Sequence, residues 1–291
     1  CLDIACSLGA TINEGRDELQ PLTDYVFLGI RFRHDTGCVC LSEKCVEKLT
    51  LVQACFQAGF RSLEDILWTF GVCVWASAVL GLERSSLYYI YKFVRRRQRQ
   101  KTPGSLAVWP CIVDRWESWI RLLLSNQPCQ VLRPRQPQYV IFTDASDDGW
   151  GAVIFDKNGN GDTIMGDHWS PIDASRHISL RELMVVRLAF SRWIQRGVSV
   201  VVFMDNTTAI GQLRRGRSNA FLANSELRRL KMVIESKHLT ITGFQYVRSA
   251  ENHADYWSRE GLRILQLAST EGHGLLEGHR SVPFEDPFAS N

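Results

Sequence analysis

Residues 139–156, YVIFTDASDDGWGAVIFD, decide how this chain folds. An apolar run ends on Asp144, turns through Ser146, Asp147, Asp148 and Gly149, and returns as a second apolar run. Two such runs joined by turn-forming residues predict a pair of neighbouring strands. A carboxylate at the tip of a buried strand is costly unless something positive meets it. What meets Asp144 is the question that the surrounding sequence answers.

Working outward, strands are predicted at 139–144, 150–156 and 162–169. A helix is predicted over about 179–196, with Leu183, Val186, Phe190 and Trp193 at helical spacing. VSVVVFM (198–204) is a continuous apolar run, as expected of a strand buried on both faces. Helical segments follow at about 206–214 and 222–237, LTITGFQYV (239–247) reads as a fifth strand, and a short helix starts near Asn252. The predicted fold class is α/β: a mixed five-stranded sheet with flanking helices, a meander first and crossovers after.

That sheet places acids together. Asp144 and Asp205 each end a strand, Glu182 opens the long helix, and Asp255 sits in AENHADYWSR at the start of the last one. Bare, four converging carboxylates would repel and raise one another's pKa values. Hard oxygen donors suit Mg²⁺ or Mn²⁺. Two such ions a few ångströms apart can clamp a phosphodiester, one activating the attacking water and the other stabilising the leaving oxygen. Each acid also has an ordinary explanation. Asp144 and Asp205 fit turn positions, Glu182 a first-turn dipole partner, and Asp255 a helix-start acid. All four in order, on suitable elements, favour one shared metal site.

Upstream the pattern differs. Residues 1–41 look β-rich, with DYVFLGIRF and GCVCLS as strands joined by RHDTG. Helices are predicted in SEKCVEKLTLVQACFQAG, in SLEDILWTFGVCVWASAVLG with Ser62 as N-cap, in SSLYYIYKFVRRRQRQK and in VDRWESWIRLLLSNQ. The uncharged run 66–82 approaches membrane-spanning length. It is short of about 20 residues, holds two glycines and is flanked by acids, so a buried helix and no membrane contact are expected. PCQVLRPRQPQ marks a domain boundary near residue 136, and 266–291 reads as a flexible tail.

Composition sets the class. The chain has 291 residues, 45% of them hydrophobic, and a formal charge of only +3. It is globular, and its total charge says little about a polyanionic partner. Nine cysteines without a C-x-x-C pair predict buried free thiols rather than zinc. With no signal sequence visible, an intracellular setting is expected, cytoplasmic or nuclear. Residue 1 is Cys, so the chain reads as a piece of a longer one.

Together, TDASDDGWGAVI, SLRELMVV, VVVFMDNTTAIG and YVRSAENHADYWSR resemble the ribonuclease H domain of retroelement reverse transcriptases. DNTTAI and ISLRELMV look closest to the tyrosine-recombinase retrotransposons of the DIRS, Ngaro and VIPER kind. GATINEGRDELQPLTDYVFLGIRF is similar to the end of the reverse-transcriptase palm, with the primer-grip hairpin. The resemblance covers about residues 8–262. It implies a palm remnant (1–41), a helical thumb and connection (42–136) and a ribonuclease H-like domain (137–265).

The substrate so implied is the RNA strand of an RNA–DNA hybrid, with an upstream polymerase domain of the same polyprotein as partner. Asp144 would bridge two Mg²⁺ or Mn²⁺ ions, Asp255 would join it on the nucleophile side, and Glu182 with Asp205 would hold the leaving-group side. The polymerase motif Tyr–x–Asp–Asp is not in this sequence, so no polymerisation is expected from it. Many family members carry a His about ten residues before the last Asp, where this chain has QYVRSA. His253 is not its equivalent, which puts product release in question.

Ser146 and Asn206 fit either substrate contacts or turn caps. Arg96 and Arg97, in RRRQRQK, fit a phosphate-binding run or a helix end favoured by the dipole. Arg214 and Arg215, in RRGR, point more to nucleic-acid binding, and Trp150 and Trp257 are candidates for stacking. A retroelement remnant that binds without cutting is the alternative. A DNA-cutting relative of transposases is a third reading, disfavoured by a final Asp where those enzymes usually finish on Glu.

Overall fold

A computed structural model describes residues 23–100, 106–130, 136–157, 162–193, 195–270 and 276–277. They form two compact units, one from within 1–82 and 105–131, the other from within 83–104 and 132–291.

In the first unit, strands β1 (Asp24–Phe27), β2 (Ile30–Arg33), β3 (Cys38–Leu41) and β4 (Cys129–Gln130) pair antiparallel in that order. DYVFLGIRF is therefore two strands and not the single one expected. The chain reverses at Leu28 and Gly29, both at positive φ (50° and 81°). A side chain at Gly29 would be strained there, and its Cβ would lie 2.5 Å from Cys45 Sγ.

Helices α1 (Glu43–Ala58) and α2 (Leu63–Val79) follow. Ser62 caps α2 as the sequence suggested, in a reciprocal box with Asp65 (3.1 and 2.9 Å). α2 buries one stripe, Ile66, Thr69, Cys73 and Ala76, while Trp68 and Trp75 stay exposed. No helix among the described residues is long and apolar enough to cross a membrane.

The next helix, α3 (Tyr88–Arg99), belongs to the second unit, although the sequence reading grouped it with the helical block. The first unit resumes with α4 (Pro110–Leu124). Trp116 of α4 is fully buried against Phe56 and Phe60, and Trp119 Nε1 donates to Ser77 Oγ at 2.8 Å. The seven described cysteines are free thiols; Cys40 and Cys73 are buried as expected, and Cys111 is exposed.

The second unit holds the mixed sheet. β5 (Tyr139–Ala145), β6 (Gly149–Asp156) and β7 (Thr163–His168) form an antiparallel meander. After α5 (Pro171–Ala174) and α6 (Ile178–Arg192), β8 (Ser199–Met204) pairs parallel with β5. α7 (Thr207–Arg215) and α8 (Phe221–Ser236) lead to β9 (Thr240–Tyr246), parallel to β8. The order β7-β6-β5-β8-β9 is the expected mixed five-stranded sheet.

Short α9 (Asp255–Ser258) and α10 (Leu262–Thr270) close the unit. The stretch expected to be a flexible tail is helical up to Thr270, and β10 (Leu276–Glu277) pairs with β7 at the sheet edge. The remainder of that stretch lies outside the described residues.

Alternation along the strands makes two apolar layers. Ile141, Ile154, Met165, Val200 and Val202 pack with Leu183, Val186 and Phe190 of α6 and Leu227 of α8. Val140, Phe142, Val153, Val201 and Phe203 pack on the other side with Ala254 and Leu265. All six residues of β8 are buried, which explains its unbroken apolar run.

Candidate metal centre

β5 and β8 are parallel neighbours, with Phe142 opposite Phe203. Asp144 and Asp205 each lie two residues further on, so the register sets them side by side at one sheet end. α6 brings Glu182 to the same place. That helix begins at Ile178, and His177 Nδ1 accepts from Ser179 N at its start. Glu182 is therefore the fifth helical residue, past the first turn, and the dipole explanation for it lapses. Ligand oxygens of Asp144, Glu182 and Asp205 all lie within 4.8 Å of one another. Asp144 and Glu182 are each 2% exposed, and Asp205 is half-buried.

The fourth predicted acid is not one of these three. Asp255 opens α9, half-buried, and its Oδ1 accepts from Arg259 Nε at 3.2 Å. Its charge still acts on Asp144.

Burial pushes the Asp144 carboxyl up to about 6; the Ser258 hydroxyl and Arg259 oppose this, and the charges of Asp205 and Asp255 add to it. Burial pushes Glu182 further, to about 9, helped by the charges of Asp144 and Asp205 and opposed by the Ala145 amide and Arg181. Glu182 Oε2 is buried without a hydrogen-bond partner. An orphaned acceptor among converging carboxylates is the arrangement a divalent cation resolves.

The C-terminal segment holds Asp144 in place. Asn252 Nδ2 donates to Asp144 Oδ1 (3.3 Å) and to Thr143 O (3.1 Å), and Ser258 Oγ donates to Asp144 Oδ2. Asn252 and Ser258 are both buried. The sequence placed Asn252 only near a helix start and gave Ser258 no role. The signal for Ser258 was its place three residues after Asp255, on the same side of a helical turn.

The expected nucleic-acid contacts divide. Ser146 is 3% exposed, and its hydroxyl accepts from the Asp148 and Gly149 amides (both 3.1 Å) and donates to Ser258 O (2.6 Å). It closes the β5–β6 turn. Arg181, overlooked in the sequence, clamps that turn by donating to Ser146 O (2.8 Å) and Asp147 Oδ1 (2.7 Å). Asn206 caps α7 by accepting from Ala209 N at 3.0 Å. Arg214 donates twice to Phe244 O (3.0 and 2.6 Å), tying α7 to β9.

Arg215 is exposed, and its carbonyl accepts from Arg84 Nη2. Arg96 is exposed on α3, while Arg97 donates to Gln100 Oε1 (3.0 Å) and lies over the Phe93 ring. Trp150 is a core residue, 1% exposed, and cannot stack on a base. His253 packs edge-on against Phe142 and Phe155.

No protein-family model matches the chain, and no curated protein matches it in sequence. Among solved structures it is similar to the N-terminal ribonuclease H domain of a Mycobacterium tuberculosis protein, studied as a maltose-binding-protein fusion. That match has 15% identity, 46% of this chain, 99% of that one and a TM-score of 0.32. It is also similar to a foamy viral protease–reverse transcriptase in complex with an RNA/DNA hybrid, at 13% identity, 77% of this chain, 29% of that one and TM-score 0.32. A third is ribonuclease H1 from the archaeon Halobacterium salinarum, at 10% identity, 42% of this chain, 96% of that one and TM-score 0.29.

Proposed function

We propose that the second unit is a metal-dependent nuclease that cuts the RNA strand of RNA–DNA hybrids. The observation that carries this is the triad of Asp144, Glu182 and Asp205, converged within 4.8 Å on a buried sheet end with Glu182 Oε2 unpartnered. An all-oxygen donor set of this kind suits Mg²⁺ or Mn²⁺. Asp144, Glu182 and Asp205 would hold one ion, and Asp144 with Asp255 a second. Bound there, the ions would activate a water for attack on the phosphodiester and stabilise the leaving oxygen.

The chain's own residues prepare the site. Asn252 and Ser258 fix the Asp144 carboxylate, and Arg181 locks the turn beside it. Residues 1–41 are read as the end of the palm and 42–136 as the thumb and connection that grip the duplex, and the whole as part of a reverse transcriptase from a tyrosine-recombinase retrotransposon. The supports for that context are the motifs DNTTAI and ISLRELMV and the FLG hairpin.

Asp144→Asn tests the reading on labelled RNA–DNA hybrid, RNA duplex and DNA duplex, with and without Mg²⁺ or Mn²⁺. Cleavage of the hybrid should fall by roughly 10³-fold or more, equivalent to about 4 kcal/mol, with the fold intact. Undiminished cleavage by the variant would discard the nuclease. Ion binding by the unaltered chain without cleavage of any hybrid would favour a binding module instead.

A further inference from the structure

Ser258 is 0% exposed, and its hydroxyl meets two groups. It donates to Asp144 Oδ2, and Asp255 O lies 2.9 Å from it. With its single proton on Asp144, it ties the acid at the end of β5 directly to α9. This closeness is built in. A Cβ on Gly151 would lie 2.6 Å from Ser258 N and 2.9 Å from Ala254 O, so α9 reaches the sheet only over a glycine. Asn252 Nδ2 holds the second oxygen of Asp144 from the same segment. An ionised carboxylate has about four acceptor positions. With one on each oxygen taken by the protein, the group keeps a single orientation and retains acceptor capacity for a cation.

We propose that Ser258 is a positioning residue for the metal centre: it fixes the Asp144 carboxylate relative to α9 and so sets the affinity of the site for its divalent ion. This rests on the metal-site reading above. A serine that merely back-bonds to the carbonyl three residues earlier is a common helix feature, and removing that bond would leave ion affinity untouched. Outer partners of ligating carboxylates, by contrast, typically control affinity by ten- to a hundredfold.

The test uses the full chain and Mn²⁺ as probe, with calorimetric binding and melting in EDTA as readouts beside hybrid cleavage. Ser258→Ala should melt cooperatively and bind Mn²⁺ about ten- to a hundredfold more weakly. Ser258→Thr, which keeps the hydroxyl, should stay within about threefold of the unaltered chain, well short of that range. Cleavage by Ser258→Ala should recover as Mn²⁺ is raised, the mark of lost affinity and not of lost chemistry.

If Ser258→Ala does not fold, Ser258→Cys replaces it, keeping the volume with a weak donor. A folded Ala or Cys variant that binds Mn²⁺ as tightly as the unaltered chain overturns the proposal and leaves the metal site standing. Failure of the unaltered chain to bind Mn²⁺ removes both.

Discussion

Two glutamates in the second unit are equally buried, 2% exposed each, and are treated in opposite ways. Glu226 on α8 meets Arg187 of α6 at its Oε1 and lies 3.7 Å from Arg229 at its Oε2. Glu182, on α6 itself, receives no guanidinium. The adjacent Arg181 turns to Ser146 O and Asp147, and Oε2 is left without a partner. A buried carboxylate that serves the fold comes with its cation. One left unmatched, beside two more acids, serves something the chain does not itself contain. The contrast separates structural from functional burial within a single helix pair.

Exchanging the two roles is the strongest way to break it. Glu182→Gln should lower hybrid cleavage by roughly 10³-fold, about 4 kcal/mol, and raise the melting temperature in EDTA, because a neutral amide removes a group that ionises only when unfolded. Glu226→Gln should leave cleavage largely in place. It should cost about 2 kcal/mol of stability, below the full penalty for a buried pair because Arg187 is partly exposed. If Glu182→Gln melted below the unaltered chain in EDTA, the two glutamates would be alike and the comparison would fall.

Two glycines sharpen the same distinction. Gly151 lies under α9, with Ser258 N and Trp257 C each 2.6 Å from an added Cβ. Gly243 on β9 has nothing nearer than 3.9 Å. Gly151→Ala should cost about 2–3 kcal/mol, as backbone groups would have to move, and should weaken Mn²⁺ binding as α9 shifts. Gly243→Ala should change stability by no more than about 0.5 kcal/mol. Denaturant melts and Mn²⁺ titrations of both variants check this. An innocuous Gly151→Ala would mean that α9 tolerates displacement from the sheet.

Asp144 and Asp205 were legible because each closes a local pattern. An apolar strand ending in Asp reads the same in sequence and in space, and β8 was evident as a run buried on both faces. What escaped depends on tertiary packing. Leu28–Gly29 folds one apparent strand into two, and only the φ values reveal it. Ser146 and Arg214 look like surface polar residues, yet each is occupied by backbone groups of a distant segment. The spacing from Asp255 is the only hint of Ser258 in the sequence; that it reaches Asp144, 114 positions away, is set by packing. Nor did composition assign α3 to the unit bearing the acids. Asp255 is a mixed case: its charge acts on Asp144, as its motif suggests, while its carboxylate pairs with Arg259.

The smallest expected effect is a pH trend. In the absence of metal, burial pushes the Asp144 carboxyl up to about 6 and that of Glu182 up to about 9, because it disfavours their charge. The folded chain thus holds protons that the unfolded chain releases above about pH 4. Stability from these two groups falls as pH rises, for Asp144 up to about 6 and for Glu182 on toward about 9. The melting temperature in EDTA should therefore drop between about pH 5 and about pH 8. Mg²⁺ should raise it more at the upper end, because the ion binds ionised oxygens and must displace those protons. Glu182→Gln should flatten the slope. A melting temperature in EDTA that climbed across this window would mean that the acids are already matched within the fold, and the site would need no cation.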